Sequence, residues 1–263
     1  MRDTINALMV LSWMAIMLLF AQSASELYDR ANTLVEKRDL PAARAAIDQA
    51  LRVDPRMVPA LTLRAKLAMA NDELDEAERS LKKAIDIAPR QSSLRTLLGI
   101  VSYLKNDFDS ALDMLALSDQ SDARAALYQA MSAEALNRLE ASAAFYERAL
   151  KLDISTAEPR VAYARMLLKG ASLDRAQALI EEALKLEPRS ADALYEKGWC
   201  LFERGDYTAA AEFGERALAF SAGGPLERRV RYLLIRAYQK QGKIELAERH
   251  RDAFDRLPMP MVR

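Results

Sequence analysis

The sequence predicts an all-α protein built as a stacked array of helical hairpins, and three observations predict it. First, a sixteen-residue string recurs: residues 40–55 read LPAARAAIDQALRVDP, residues 74–89 LDEAERSLKKAIDIAP and residues 173–188 LDRAQALIEEALKLEP. Related strings begin at Leu40, Leu74, Phe108, Leu139, Leu173, Tyr207 and Ile244, at intervals of 34, 34, 31, 34, 34 and 37 residues. A period in this range is the signature of a repeat array, and a single hairpin with one apolar face must stack on neighbours to bury it. Second, Ala, Leu, Glu, Arg and Lys abound while the 263 residues include only 8 Gly and 9 Pro, a mixture that favours helix throughout. Third, small residues recur at fixed offsets within each period.

The elements follow in chain order. Residues 1–23 differ from the rest, with an uncharged apolar run from Ala7 to Phe20 followed by small residues at Ala21, Ser23, Ala24 and Ser25. That is the layout of a signal peptide, and cutting after Ser23 would leave Ala21 and Ser23 in the two small positions. The competing reading is an N-terminal membrane anchor, because Ala7–Ala24 just reaches the length needed to span a bilayer. A buried core helix fits less well, since bulky side chains lie on every face. With no cysteine near the end of the run, lipid attachment of the lipoprotein type is not supported. Either leading reading sends the chain across a membrane: periplasmic or secreted, or anchored in the inner membrane with the repeats outside the cytoplasm.

Residues 24–258 then divide into repeats of about 24–57, 58–91, 92–122, 123–156, 157–190, 191–224 and 228–258, leaving a short tail, 259–263. The first helix of each repeat carries a small residue at Ala31, Ala65, Gly99, Ala130, Ala164 and Gly198, and the seventh departs with Ile235. The second helix carries one at Ala43, Ala77, Ala111, Ser142, Ala176, Ala210 and Ala247. Seven residues on come Ala50, Ala84, Ser118, Ala149, Ala183 and Ala217, with Phe254 in the last repeat. Offsets of seven fall on one helix face, and small side chains there let two helices pack closely. Pro55, Pro89 and Pro188 stop their helices, because proline lacks the amide proton and clashes inside a helix.

Three places break the pattern. The third repeat is short and ends in SDQSDAR without a stopping proline. AGGP (222–225) breaks the chain before the seventh repeat. Gly214 stands mid-helix where a large residue is usual, either opening a pocket or admitting a neighbour's bulky side chain. The last helix is crowded with Glu248, Arg249, His250, Arg251, Asp252, Asp255 and Arg256, which reads as a solvating cap with His250 exposed.

With its small-residue frame and Gly-Asp-Tyr turn, ADALYEKGWCLFERGDYTAAAEFGERALAF (191–220) shows most clearly that the chain resembles the tetratricopeptide repeat family, and the resemblance extends over all seven repeats. It implies an all-α, right-handed α-solenoid superhelix of about seven helix-turn-helix repeats, with the first helices lining a concave face where partners bind. The residues of that face would be Thr62, Lys66 and Met69; Thr96, Ile100 and Tyr103; Leu127, Met131 and Glu134; Val161, Arg165 and Leu168; Tyr195, Trp199 and Phe202; and Tyr232, Arg236 and Gln239. The candidate partner-binding groove residues are Tyr195, Trp199, Phe202, Tyr232, Arg236, Arg165, Ile100, Tyr103 and Met131. Aromatic anchors beside arginine are typical of binding hot spots, and Arg165 and Arg236 suit a carboxylate or a ring. The same aromatics also suit packing between adjacent first helices. Some family members hold a terminal carboxylate with a basic and asparagine clamp; of Tyr28, Asn32, Leu63, Ser93 and Leu97, only Asn32 fits, so an apolar extended or helical segment is the better expectation.

Composition excludes several function classes. The 38 basic and 38 acidic residues balance, which argues against a nucleic-acid partner. One cysteine, Cys200, and one histidine, His250, cannot build a usual zinc site or an internal disulfide. Cys200 reads as a small buried apolar side chain, or as the donor of an intermolecular bridge. Acidic pairs such as Glu181–Glu182 point to different helix faces, and no phosphate loop, metal motif or nucleophile elbow occurs. The expectation is a non-catalytic interaction scaffold in the cell envelope, binding a protein or peptide segment, with no cofactor and no small-molecule substrate. A periplasmic holdase for apolar segments is the alternative, and a hydrolase on a solenoid scaffold a remote one.

Overall fold

The computed structural model describes residues 23–258 apart from 153, 154, 171 and 222. The signal-or-anchor reading of residues 1–22, the tail at 259–263 and Ala222 of the AGGP break therefore lie outside the described residues. Those described form fourteen helices and no strand: α1 (Ala24–Glu36), α2 (Leu40–Val53), α3 (Val58–Ala70), α4 (Leu74–Ile87), α5 (Ser92–Leu104), α6 (Phe108–Ala116), α7 (Ala123–Ala135), α8 (Leu139–Leu152), α9 (Glu158–Lys169), α10 (Leu173–Leu186), α11 (Ala191–Glu203), α12 (Tyr207–Phe220), α13 (Gly224–Lys240) and α14 (Ile244–Asp255). Seven hairpins result, each second helix starting at the residue that opens the repeated string.

Local chemistry sets the boundaries. Ser23 begins α1 with a reciprocal cap: its hydroxyl accepts from the Glu26 amide at 3.1 Å, and the Glu26 carboxylate accepts from the Ser23 amide at 2.9 Å. Asp39, Asp107, Asp122, Ser190 and Asp206 cap α2, α6, α7, α11 and α12 through their side chains. The helices α2, α4 and α10 end at Val53, Ile87 and Leu186, two residues before Pro55, Pro89 and Pro188. Inside the hairpins the turn uses a left-handed residue two positions before the second helix: Arg38, Asp72, Asn106, Asn137, Gly205 and Gly242 all have φ between 57° and 83°.

The chain divides into two compact units, with the boundary between Asp119 and Gln120. It falls at the irregularity visible in sequence. Helix α6 has 9 residues against 14 in α4, and Leu117 after it is exposed.

In the first unit α1 packs on α2, α3 on α4 and α5 on α6, while α2 meets α3 and α4 meets α5. Its core is the small-residue frame plus leucine: Ala31, Ala43, Ala65, Ala77 and Ala84 have no exposed surface, nor do Leu61, Leu81 and Leu94. At Gly99 the crossing is so tight that a Cβ would come within 2.5 Å of Leu115 Cγ.

In the second unit α7–α14 stack likewise, and first helices also touch one another: α9 packs on α7 and α11, and α11 on α13. They therefore share one layer. Gly198 and Gly214 receive Leu233 and Leu234 from α13, whose side chains lie 2.9 and 2.8 Å from where a Cβ would sit. Gly214 thus admits a neighbour's bulky side chain, as one of its two readings had it. This also explains Ile235: in the seventh repeat the first helix supplies large residues to glycines on its neighbours. Cys200 is fully buried against the Leu173 carbonyl. Arg251, Glu248, Asp252, Asp255 and Arg256 are exposed, so α14 is a solvating cap. His250 corrects that picture. It is not exposed: its side chain retains 12% of its accessible surface, stacks on Tyr238 and pairs with Glu215. The apolar Tyr238 ring on α13 gives the imidazole a surface to cover. Among the described residues no helix is long and apolar enough to cross a membrane.

Candidate partner-binding face

The structure brings five of the nine predicted groove residues into one cluster. Tyr195, Trp199 and Phe202 lie along one side of α11, four and three residues apart, and stack with ring centroids 6.5 and 5.5 Å apart. From α13, the Arg236 guanidinium lies 5.6 Å from the Trp199 centroid, 4.7 Å from Phe202 and 5.8 Å from its own neighbour Tyr232. Each distance is within the reach of a cation–π contact. The cluster is graded rather than open. Tyr195 and Phe202 are buried, Trp199 and Arg236 are half-buried, and Tyr232 is 47% exposed. Two rings expected to be presented therefore act as the floor, because α11 packs between α9 and α13 and both neighbours cover its flanks.

Arg165 does not stand free to meet a partner. Its Nε donates to Glu196 Oε1 at 2.6 Å and Nη2 to Asp192 Oδ1 at 3.3 Å. From α13, Arg229 Nη2 donates to the same Glu196 oxygen at 2.8 Å, and its guanidinium covers the Tyr195 ring at 4.4 Å. Glu196, 3% exposed, is thus clamped between two guanidinium groups. Burial alone would lower the Arg165 pKa; the Glu196 charge and hydrogen bond outweigh it, and the net shift is upward. Burial likewise raises the Tyr195 hydroxyl, against the opposing pull of Arg229.

Met131 and Arg165 belong to a neighbouring cleft of about 390 Å³, lined also by Val161, Glu158, Glu187 and Asp192. Ile100 and Tyr103 lie on α5 in the first unit. Ile100 is buried, which corrects its place on an open face: α5 is apolar almost all round, with Leu94, Leu97, Leu98 and Val101 buried beside it. Tyr103 is half-buried and packs on Phe108 at 5.7 Å.

The sequence reading missed Glu196, Arg229 and Lys240. Glu196 sits beside Lys197 in the buried middle of α11, and two charges among apolar residues there were a visible signal. Arg229 and Lys240 belong to a helix with five basic side chains and one acidic one, an imbalance hidden by the neutral total. Among the described residues no group of His, Cys, Asp and Glu side chains could hold a metal ion.

The pattern of the tetratricopeptide repeat family matches residues 28–92, 96–158 and 162–225. Among curated proteins, the chain is 30% identical over 166 residues to the cellulose synthase operon protein C of Pseudomonas fluorescens (strain SBW25), covering 58% of this chain and 13% of that one. It is 25% identical over 209 residues to the protein CTR9 homolog of Arabidopsis thaliana, covering 76% of this chain and 19% of that one. The chain thus spans less than a fifth of the length of either relative. Among solved structures, PilW, described as a widely conserved type IV pilus biogenesis factor, superposes with a TM-score of 0.70 at 19% identity, covering 78% of this chain and 96% of that one. With the family pattern matching most of its length, the chain belongs to the tetratricopeptide repeat family.

Proposed function

We propose that this protein is a non-catalytic scaffold that holds a protein segment on the first-helix face of its sixth and seventh repeats, in the service of an envelope assembly. The observation that carries the reading is the graded cluster of Trp199, Tyr232 and Arg236 over a buried aromatic floor. A packed floor fixes the rims, and rigid aromatic rims with an arginine are what binding hot spots are made of. The envelope setting draws support from the likeness to a cellulose synthase operon protein and to a pilus biogenesis factor. It also draws on the apolar N-terminal run.

Ser23 refines the export reading. A cut after Ser23 would remove a reciprocal cap and put the positive amino group of Ala24 at the positive end of α1. Loss of such a cap costs about 0.5–2 kcal/mol, and the misplaced charge adds to it. On this reading the mature chain keeps Ser23, against the cut after Ser23 that the small-residue spacing suggests. The intact mass of protein recovered from envelopes checks this, and a mature N-terminus at Ala24 would overturn it.

The binding reading is tested by site-specific photo-crosslinking in the source cells. A crosslinker at Tyr232 should yield a defined adduct that disappears with Trp199→Ala, while a crosslinker at Glu212, exposed on the second helix α12, yields none. Adducts of equal yield from both positions would move binding off the first-helix face. Many adducts at Tyr232 and none dominant would favour the holdase.

A further inference from the structure

Helix α13 is the basic element of a neutral protein, and its cations divide into two sets. Arg229 is held by Glu196, and Arg231 by Glu227 at 2.6 Å. Arg228 donates to the carbonyls of Phe254 and Leu257 and covers the Phe254 ring. These three are used by the fold. Arg236 and Lys240 are not: each meets only aromatic rings, Arg236 those of Trp199, Phe202 and Tyr232, and Lys240 that of Tyr207 at 6.0 Å. Neither has a carboxylate within ion-pairing distance among the described residues.

Tyr232, Arg236 and Lys240 are four residues apart, so they form one stripe along the same side of α13. A ring face satisfies the charge of a guanidinium but none of its N–H groups, which stay available as donors. The stripe is therefore an aromatic step followed by two cations whose hydrogen-bonding capacity is unspent.

We infer that the segment held by this protein is acidic, with an aromatic or apolar side chain seated against Trp199 and Tyr232 and carboxylates reaching Arg236 and Lys240. This rests on the binding reading above and adds the chemistry of the partner to it. Charge complementarity picks the occupant: an apolar segment alone would bury two cations without a counter-charge, which is costly. A peptide is favoured over a nucleic acid because the free charge is two side chains wide, flanked by rings, on a protein with no net charge.

The test uses the full chain carrying Trp13→Phe, which leaves Trp199 as its sole tryptophan and a reporter inside the site. The probes are three blocked hexapeptides: acidic Glu-Phe-Asp-Glu-Phe-Glu, its neutral isostere with Gln and Asn in place of Glu and Asp, and a version with Lys in their place. The acidic peptide is expected to shift Trp199 fluorescence, to weaken with rising salt, and to bind at least about threefold more weakly for each charge removed in Arg236→Gln and Lys240→Gln. Lys240 is exposed, so Lys240→Glu preserves the fold and should weaken it further.

If the acidic and neutral peptides bind alike, the acidic partner is ruled out while the binding face stands. If none binds, or if the acidic peptide binds and the Arg236 and Lys240 variants lose nothing, the inference fails; the crosslinking experiment then decides the face separately. Tighter binding of duplex DNA or of phosphatidylglycerol vesicles through the same two residues would also overturn it.

Discussion

Residues 23–119 and 120–258 repeat the same hairpin with Ala, Ser or Gly at the crossing points of all but the seventh repeat, yet the first stretch holds three aromatic residues and the second thirteen. Their charges differ as well. In the first unit Lys105 bridges Asp75 and Glu78 at 2.7 and 2.6 Å, and Arg44 joins Glu73 and Glu76, all partly exposed. In the second, Glu196 is buried between Arg165 and Arg229, on the helix that carries the aromatic floor. The frame needs only small residues at crossings, so positions between them are free to vary. The first unit fills them with aliphatic packing and solvated pairs. The second fills them with rings and a buried charge, groups that fix side-chain positions at the cost of desolvation. What repeats is the structural frame, and what differs is the chemistry placed between the crossing points.

Stranding the buried charge should have the largest effect on stability. Arg165→Met with Arg229→Met leaves Glu196 without a cation, and an uncompensated buried charge costs about 3–5 kcal/mol. Adding Glu196→Leu should recover most of the loss. The first-unit counterpart, Lys105→Met, removes a cation whose pKa is raised by hydrogen bonds to Asp75 and then Glu78. Asp75 is largely in water, so screening should leave melting nearly unchanged. Denaturant unfolding read by hydrogen exchange along the chain measures both, and equal losses would mean that the two charge networks do not differ in kind.

Next come the crossing points. Gly99→Ala puts a methyl group 2.5 Å from Leu115 Cγ, a buried branch point. Overpacking of this kind costs about 1–3 kcal/mol, and the gain in helix propensity returns about 1, so a net loss of about 1 kcal/mol is expected. At Gly214 the nearest atom is a terminal methyl of Leu234, 2.8 Å away, which can rotate aside. Gly214→Ala should therefore lower the midpoint less than Gly99→Ala. The reverse order would place the tighter packing in the second unit.

Acid and base probe the cap of the second unit. The Glu215 carboxylate is held below the usual glutamate range, first by the hydrogen bond from His250 and then, against its burial, by that from Tyr238. A carboxylate with a depressed folded pKa adds stability above its unfolded value, near 4.3, and loses it as pH falls from there through the folded value. Exchange protection of α14 should decline over that window before the rest of the second unit opens. Tyr238 is pushed up to about 12, by burial and then by Glu215. Its contribution is present below the unfolded tyrosine value, near 10, and is lost between there and about 12. Tyrosinate absorbance should include a late component from Tyr238 that Glu215→Gln moves earlier.

Periodicity made the hairpins readable, because a 34-residue recurrence and small residues at offsets of seven admit few other structures. Proline stops and the short third repeat were equally plain. The site was half legible. Tyr195, Trp199, Phe202, Tyr232 and Arg236 follow from helical spacing once the family resemblance says which helix face is open. Spacing does not say how far a neighbouring helix covers them, so the burial of Tyr195 and Phe202 was not readable. Partner choice among charges was hidden for a similar reason. Arg165 and Arg236 look equivalent in sequence, but a carboxylate 31 residues away claims the first. His250 is the same case: its own helix is polar, and the Tyr238 ring and Glu215 that draw it inward lie on other helices.

The smallest expected effect lies in the turns. In the first unit the left-handed position is taken by Arg38, Asp72 and Asn106, and in the second by Asn137, Gly205 and Gly242. A side chain at that backbone conformation costs about 1–2 kcal/mol, Asp and Asn less because they bond locally. Glycine avoids the cost but gives back about 0.5–1 through its freer unfolded chain. Arg38, at φ 60°, has the penalty without the local bond of an Asn or Asp. Arg38→Gly should therefore stabilise the first hairpin by roughly 0.5 kcal/mol, while Asn106→Gly should be near neutral. At φ 83°, Gly205→Arg should destabilise by more than Arg38→Gly gains, because no neighbour lies within 4 Å to offset the strain. If Arg38→Gly instead lowers the melting point, the arginine side chain is contributing contacts worth more than its backbone strain, and the turns of the two units differ in design as well as in residue.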